Sequence, residues 1–337
     1  MKRVRPYILI FLAILLLLVL VGPFLVPVPP IEGALSPQEL AWSQSRFVEI
    51  NGLQVHYEIA GQGEPFFLLL HGFGASTFTW REIVPDLAQS GTVLSYDRPG
   101  FGLTERPLEW QDSNPYSPEE SLGLLMGLLD HFGIEKAILV GNSAGGTVAL
   151  QAALRFPERV EALVLVAPAV YTGGGAPAWI RPLLSAPQIC RLGPLFVRRV
   201  FGSAEGLVDL AWHDPSQITP EIRAGYERPL QVENWDQALW ELTLASQESN
   251  LAEELAQVQV HSLIITGDDD RIVPTEESIR LASELPNADL AVIENCGHVP
   301  QEECPDKFMG ALQEFISNRL GSIIFSDKGE NHGRRKV

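Results

Sequence analysis

Cysteine is scarce in this chain, and its scarcity excludes several kinds of chemistry. The 337 residues contain only Cys190, Cys296 and Cys304, with no C-x-x-C pair and no spacing typical of a zinc site. No pattern for binding a metal or an organic cofactor is present, so we expect neither. The sequence leaves open whether Cys296 and Cys304 pair in an exported protein, since nothing in it requires that disulfide.

Positive charge is also scarce. The formal net charge is -18, and both the first thirty residues and the tail from Gly321 are net positive, so the body between them is even more acidic. Such a body repels phosphate groups. We therefore expect no nucleic-acid partner, and no attraction between the body as a whole and anionic lipid headgroups.

Residues 7–28 lack charge altogether and are densely Leu, Ile, Val and Phe. A helix of this length crosses the hydrocarbon core of a bilayer. Lys2, Arg3 and Arg5 precede it and favour the cytoplasmic side, which predicts a signal-anchor with the body outside the membrane. The alternative is a cleaved signal peptide and a secreted protein, although no clean cleavage site follows in residues 24–30. A proline-rich linker over 26–30 completes this first segment.

The remaining chain is long enough for one large domain with a sizeable core. Alternating apolar and polar residues around Asn51-Gly52 predict an antiparallel hairpin. Short, continuous apolar runs then predict parallel strands covered on both faces, and helix-forming stretches separate them. The fold class is therefore α/β, with a mostly parallel sheet, an antiparallel N-terminal hairpin and helices on both faces. The predicted strands are 46–50, 54–59, 65–70, 93–96, 137–140, 162–166, 262–266 and 290–293, and the predicted helices are 80–89, 118–132, 146–156 and 305–320.

Residues 171–256 interrupt this alternation, because they contain no strand-like run. Prolines, apolar residues at helical spacing and four tryptophans predict a helical insertion after the strand 162–166. An insertion at a strand's carboxyl end covers the edge where open α/β sheets bind ligands. An independent packing module is the alternative. The polar tail 321–337 is predicted to be disordered.

Ser143 lies in Gly141-Asn142-Ser143-Ala144-Gly145, between an apolar run and a helix-forming run. A G-x-S-x-G turn from strand to helix needs glycine where the backbone crowds the serine, and it exposes the hydroxyl at the helix N-terminus. The pattern therefore predicts Ser143 as a nucleophile, with Gly141 and Gly145 as the glycines of its turn.

A serine nucleophile needs a base, and that base needs an acid to orient it. Of the seven histidines, His298 follows a predicted strand and precedes a helix, which puts it at the same sheet edge as Ser143. His56, His131, His213, His261 and His332 are better explained as structural or solvated. Asp268, Asp269 and Asp270 follow the strand 262–266 in the order Ser, Asp, His, and spacing alone does not choose among them.

The loop His71-Gly72-Phe73-Gly74 also follows a predicted strand. Its glycines allow backbone N–H groups to turn towards a bound carbonyl. An oxyanion pocket is therefore predicted from the N–H groups of Phe73 and Ala144. A simple tight turn is the alternative.

Together these segments resemble the α/β-hydrolase superfamily. The resemblance covers 47–320 and implies a core over 46–170 and 257–320 with a cap domain over 171–256. The family's acid usually stands three residues after the glycine that ends its strand, which here implies Asp270, with Ser143 and His298 as its partners. The matching motifs are His71-Gly72-Phe73-Gly74, Asp97-Arg98-Pro99-Gly100-Phe101-Gly102, Gly141-Asn142-Ser143-Ala144-Gly145-Gly146, Gly267-Asp268-Asp269-Asp270 and Gly297-His298.

The activity that this resemblance implies is hydrolysis of a small, apolar carboxylic ester through an acyl-enzyme. Carbon–carbon bond hydrolases have a similar nucleophile turn, but their usual Gly-Pro-Gly in the oxyanion loop is absent, and Val299 follows His298 where they often carry an aromatic residue. Cofactor-free haloperoxidases share the triad and remain an alternative, as does a non-catalytic ligand-binding protein. Haloalkane dehalogenases and epoxide hydrolases are disfavoured, since they use aspartate where this chain has Ser143.

Overall fold

A computed structural model describes residues 5–171, 179–203, 205–246 and 250–321. Its eight strands form one sheet in the order β1-β2-β4-β3-β5-β6-β7-β8. β1 and β2 pair as an antiparallel hairpin, β2 is also antiparallel to β4, and every other pairing is parallel. This confirms the predicted fold class. The strands are β1 Arg46–Ile50, β2 Leu53–Gly61, β3 Phe66–Leu70, β4 Thr92–Tyr96, β5 Ala137–Asn142, β6 Val160–Val166, β7 Ser262–Gly267 and β8 Ala288–Ile293.

Helices cover both faces of the sheet and form most of the insertion between β6 and β7. Shorter 3-10 turns link several of them, and a π-helical turn at Ile316–Leu320 extends the last helix. The α-helices are α1 Arg5–Leu25, α2 Pro37–Leu40, α3 Val84–Leu87, α4 Pro118–His131, α5 Ala144–Arg155, α6 Arg181–Leu184, α7 Pro187–Phe201, α8 Glu205–Ala211, α9 Pro220–Glu227, α10 Trp235–Ala245, α11 Leu251–Glu254, α12 Thr275–Glu284, α13 Pro300–Glu303 and α14 Pro305–Phe315.

The core consists of two apolar layers, one on each face of the sheet. Along β3, Leu68 and Leu70 belong to the layer that contains α4 and α5, whereas Phe67 and Leu69 belong to the layer that contains Trp80 and α14. Successive side chains of a strand point to opposite faces. Because both faces are covered, central parallel strands such as β3 are continuously apolar, as the sequence indicated, whereas the hairpin strands β1 and β2 also contain polar residues.

The prediction of a single helix over 80–89 is wrong. A 3-10 turn occupies Thr77–Trp80, and only α3 is α-helical. Ser76 caps the turn by accepting from the Phe78 N–H, and the Thr77 N–H donates to the buried Asp97 carboxylate. Pro85, which lacks an N–H, lies in the first turn of α3 and cannot continue an earlier helix.

Residues 171–256, here called the cap, form a small apolar cluster together with the sheet domain. Trp235, Leu239 and Trp240 of α10 pack against Val197 of α7 and Phe101 of the sheet domain. A side chain at Gly193 would overlap the Trp240 ring, with a built Cβ only 2.1 Å from Trp240 Cδ2. Glycine therefore lets α7 and α10 approach closely. The cap's glycine run at 173–175 lies outside the described residues.

The N-terminal helix α1 ends at Leu25, before the prolines of the linker and three residues earlier than predicted. Its stretch Tyr7–Leu25 is long and apolar enough to cross a membrane, a test that a signal sequence would also pass. It is the one such helix in the described part of the chain. The tail 322–337, predicted to be disordered, lies outside the described residues.

Candidate active site

Ser143 occupies the junction between β5 and α5, at a backbone φ of 53° and ψ of -119°. A positive φ is strained for any residue except glycine, and strain of this kind typically costs about 1 to 3 kcal/mol. The two glycines of the turn are sterically required. A built Cβ at Gly145 would lie 2.0 Å from the Leu70 carbonyl oxygen, and one at Gly141 would lie 2.6 Å from that of Gly145. The predicted strand-to-helix turn is therefore present, with the serine at its tip.

His298 and Asp270 lie next to each other on the loops that follow β8 and β7. The distance from His298 Nδ1 to Asp270 Oδ2 is 2.7 Å, and both side chains are buried. Asp270 Oδ1 accepts from the backbone N–H groups of Ile272 and Val273, at 2.9 Å each. Because a carboxylate only accepts, Nδ1 carries the proton, which leaves the Nε2 lone pair available as a base.

The structure shows different partners for Asp268, Asp269 and Asp270, the three candidate acids that their spacing in the sequence could not distinguish. Asp268 accepts from the Cys296 N–H at 3.3 Å. Asp269 pairs with His213, at 2.8 Å, and with Arg271. Of these three carboxylates, only that of Asp270 contacts His298 in the part of the chain that the structure describes. This is the assignment that the family resemblance implied.

The loop after β3 packs directly against the Ser143 turn. A Cβ built at Gly72 would lie 2.9 Å from Asn142 Oδ1 and 3.2 Å from Ser143 Cβ. Ala144 is the first residue of α5, so its N–H has no acceptor within the helix. Across the described residues, the N–H groups of Phe73 and Ala144 donate to no protein acceptor. Both could therefore donate to a bound oxyanion, which is the role that the sequence analysis predicts for them.

His71 holds this loop in place and does so without charge. Its Nδ1–H donates to the Gly72 carbonyl at 2.7 Å, and its Nε2 accepts from the Arg98 N–H at 3.0 Å. Burial lowers the pKa of His71 to about 3. The ring is therefore neutral near pH 7 and keeps both hydrogen bonds.

Asn142 connects the nucleophile strand to the histidine loop, a role that sequence reasoning missed. Its side-chain amide donates to the carbonyls of Val166 and His298, at 3.2 Å each. The residue before the nucleophile was an unassigned position of the turn. Only the folded arrangement of β5, β6 and the His298 loop reveals its contacts.

A cavity of about 170 Å³ lies between the sheet domain and the cap. Ser143 and His298 line it, and most of the remaining wall is apolar. Phe73 and Leu207, which also line it, are 40 % and 37 % exposed. Its apolar wall residues include Phe101, Phe201, Val208, Leu230, Trp235, Leu239, Ile272 and Val299.

Arg106 is the charged exception in the cavity wall, and it was not singled out from the sequence. It is only 5 % exposed, and its two hydrogen bonds run to the carbonyls of Gly102 (2.8 Å) and Pro229 (3.1 Å) rather than to a carboxylate. Its Nε has no partner in the described structure. Burial lowers the pKa of Arg106 to about 10, so the guanidinium remains charged at neutral pH.

The cap is tied to the two loops that carry His298 and Asp270. The His298 N–H donates to the Ala211 carbonyl at 2.7 Å. Glu303 accepts from the N–H groups of His213 and Asp214, at 3.0 and 2.8 Å, and from that of Gly297, at 2.7 Å. His213, expected to be merely structural or solvated, thus links the cap both to Glu303 and to Asp269 of the acid loop.

A disulfide between Cys296 and Cys304 closes the loop that contains His298. We expect Cys304→Ser to lower the free energy of unfolding by about 2 kcal/mol, because a cross-link over a short loop reduces the freedom of the unfolded chain. Chemical denaturation under non-reducing conditions measures this loss. Cys190→Ser, which removes a free cysteine, is the matched control. Equal midpoints for the two variants would contradict the expected stabilisation.

Comparison with known proteins identifies the family. The alpha/beta hydrolase fold profile matches residues 65–305. An uncharacterized hydrolase, YugF, of Bacillus subtilis is 30% identical over 82% of this chain and 99% of its own length. A 2-hydroxy-6-oxo-6-phenylhexa-2,4-dienoate hydrolase of Burkholderia cepacia is 30% identical over 81% of this chain and 96% of its own.

A solved structure extends this likeness. A mutant of the meta-cleavage product hydrolase from Pseudomonas fluorescens IP01 superposes with a TM-score of 0.60 at 28% identity, over 81% of this chain and 97% of that one. From the profile match and the 30% identical relatives, the chain belongs to the alpha/beta hydrolase fold family.

Proposed function

We propose that this protein is a serine-dependent hydrolase that cleaves a carbon–carbon bond beside a ketone in an unsaturated keto acid. The observation that carries this proposal is the buried Arg106 guanidinium, in the wall of the cavity that Ser143 and His298 line. The relatives named for 2-hydroxy-6-oxo acids support it, since those names describe a ketone and a carboxylate in one molecule. They favour this alternative over the carboxylic ester expected from the sequence.

The proposed reaction begins with proton transfer from Ser143 Oγ to His298 Nε2. Ser143 Oγ then bonds to the ketone carbon, and the N–H groups of Phe73 and Ala144 bind the resulting oxyanion. The reacting tautomer of such a 2-hydroxy-6-oxo dienoate is the 2,6-dioxo form, in which the 2-hydroxyl proton has moved to C5 and the bond to be broken joins the ketone to an sp3 carbon. When that carbon–carbon bond breaks, its electron pair is delocalised to the 2-oxo oxygen, and the His298 imidazolium protonates the resulting dienolate. A water molecule, deprotonated by His298, releases the acid from Ser143, while Asp270 orients the ring throughout.

Arg106 is proposed to bind the carboxylate of the keto acid. A hydrogen bond to a charged group contributes about 1.5 to 3 kcal/mol, so Arg106→Met should raise KM for 2-hydroxy-6-oxo-6-phenylhexa-2,4-dienoate by about 10- to 100-fold. KM for neutral p-nitrophenyl butyrate should change little. The loss of absorbance of the dienoate and the release of p-nitrophenol measure the two reactions.

Two variants provide controls for the Arg106 experiment. Arg106→Lys keeps the charge and should retain most of the affinity, whereas Arg280→Met removes an exposed arginine of α12 and should change neither substrate. Thermal melting of each variant separates binding from folding. If Arg106→Met raises KM equally for the charged and the neutral substrate, Arg106 does not recognise a carboxylate.

Hydrolysis of an apolar carboxylic ester is the second candidate. It is favoured by the largely apolar cavity wall, including Val299 next to His298, and by the lack of Gly-Pro-Gly in the Phe73 loop. The same residues would act in the same order, with an alcohol as the leaving group. The kcat/KM ratio for the dienoate and for p-nitrophenyl esters of increasing chain length distinguishes the two substrate classes.

We also propose that α1 anchors the protein in a membrane, with the catalytic domain on the extracytoplasmic side. The charge-free stretch Tyr7–Leu25 and the basic residues Lys2 and Arg3 before it support this placement. The Cys296–Cys304 disulfide is consistent with an oxidising compartment. Secretion after cleavage of a signal peptide is the alternative.

A further inference from the structure

We propose that the cap has a membrane-docking surface, formed by Trp179, Leu183, Phe196 and Val200, that lies on the lipid headgroups beside α1. The proposal rests on the placement of α1 in a membrane, and it assigns to the cap a contact that the hydrolase reaction itself does not require. The proposed partner of this surface is the outer face of the bilayer that α1 crosses.

The side chains of this surface are unusually exposed. Trp179, Leu183, Phe196 and Val200 are 79%, 59%, 62% and 50% exposed, although the cap's other tryptophans are buried. Phe196 and Val200 are four residues apart on α7 and therefore share one face of that helix. Large apolar side chains that cluster on a surface indicate an interaction site, and tryptophan is enriched at the membrane–water interface.

The helix α7, which carries Phe196 and Val200, also contacts α1 and the linker. The Gln188 side-chain amide donates to the Leu20 carbonyl of α1, at 3.4 Å. Further along α7, Arg191 donates to the Val26 carbonyl at 3.3 Å, and Arg198 to the Pro29 carbonyl at 2.8 Å. These contacts hold α7 against the end of α1 and the linker, which is where the chain would leave the hydrocarbon core.

The segment that carries this surface is basic, although the body as a whole is acidic. The body as a whole should repel anionic headgroups, but residues 179–203 contain four arginines and neither Asp nor Glu. Arg198 is paired with Asp236 at 2.8 Å, while Arg191 and Arg199 are exposed. Because salt screens charges beyond about 10 Å, the local basic segment decides the interaction with nearby lipid.

A second copy of this chain is a poorer occupant for the same surface. A symmetric dimer would bring each patch against its own counterpart, so the exposed Arg199 next to Val200 would approach its equivalent in the other copy. An anionic lipid surface instead offers complementary charge, together with an apolar layer beneath the headgroups for Trp179 and Phe196.

Docking of this surface would bring the catalytic cavity close to lipid. Phe201, the last residue of α7, lines the cavity, and so does Leu207 on the next helix. Val200, immediately before Phe201, belongs to the docking surface. An apolar substrate dissolved in the bilayer would therefore be near Phe201 and Leu207 of the cavity wall.

Spin labelling of the full chain in liposomes tests the proposal. In a Cys190→Ser background, a nitroxide is attached to Leu183→Cys or Phe196→Cys, and to Ile279→Cys on α12 as the control, which is 45% exposed. In phosphatidylcholine vesicles that contain phosphatidylglycerol, the labels at 183 and 196 should collide more with oxygen and less with a water-soluble nickel chelate than the label at 279. Omitting phosphatidylglycerol should weaken this difference.

Three results would overturn the docking surface. The first is equal, water-like accessibility at 183, 196 and 279, and the second is dipolar broadening that shows two copies in contact through this face. The third is release of the chain from the vesicles by alkaline carbonate, which would show that α1 does not span. Hydrolysis of p-nitrophenyl butyrate by the same samples reports the catalytic site independently, so failure of docking and failure of the proposed hydrolase are distinguishable.

Discussion

Replacing Ser143 by alanine is expected to lower kcat by a factor of about 10⁴ to 10⁶, for the dienoate and for esters alike. The proposed mechanism forms a bond to Ser143 Oγ, and alanine has no atom that can replace it. The positive φ at residue 143 is not relieved by alanine, which also has a Cβ, so the turn and its melting temperature should remain nearly unchanged.

Steady-state kinetics and labelling with a fluorophosphonate probe measure the effect of Ser143→Ala. The wild-type chain should be labelled and the variant should not. Ser113→Ala, at an exposed position, is the matched control and should behave like the wild type. Full activity, or equal labelling, in Ser143→Ala would exclude Ser143 as the nucleophile. A folded wild-type protein that neither reacts with the probe nor turns over any substrate would favour a ligand-binding role.

Asp270→Asn is expected to lower kcat by about 10⁴-fold, because the amide would select the wrong histidine tautomer. Asp270 Oδ1 accepts from the N–H groups of Ile272 and Val273. The single oxygen of asparagine would be held there, and its NH₂ group would face His298 Nδ1. Nδ1 would then have to accept, so Nε2 would carry the proton and could not take one from Ser143.

Asp269→Asn provides the sharpest control for Asp270→Asn, since it changes the adjacent residue in the same way. It should weaken the contact with His213 but leave kcat within a few-fold of the wild type. Asp268→Asn should also retain activity, because its carboxylate faces the Cys296 N–H. A profound loss in either control variant, with activity retained in Asp270→Asn, would reassign the acid.

The parallel strands could be predicted from the sequence because each is a short apolar run, and the hairpin because apolar and polar residues alternate around Asn51-Gly52. Both patterns depend only on local residues. The segment 80–89 could not, since its form depends on a distant group. The Asp97 carboxylate binds the Thr77 N–H and stabilises the 3-10 turn before α3. A prediction from the helical propensity of residues 80–89 does not take this contact into account.

The candidate site divides in the same way. Ser143, Asp270 and His298 could be proposed from the sequence, since each follows a strand in the chain order that the family uses. Arg106 could not, because its burial depends on carbonyls at Gly102 and Pro229, more than a hundred residues apart. The contacts of His213 with Asp269 and Glu303 depend on the packing of the cap against the sheet domain, which local sequence does not reveal.

The bond between the His298 N–H and the Ala211 carbonyl has a consequence for movement of the cap. Outward movement of the cap at 211–214 would remove the acceptor that holds the His298 backbone, together with the donors bound by Glu303. Opening of the cap to admit a substrate would therefore free the backbone at His298, while Asp270 would still hold the imidazole.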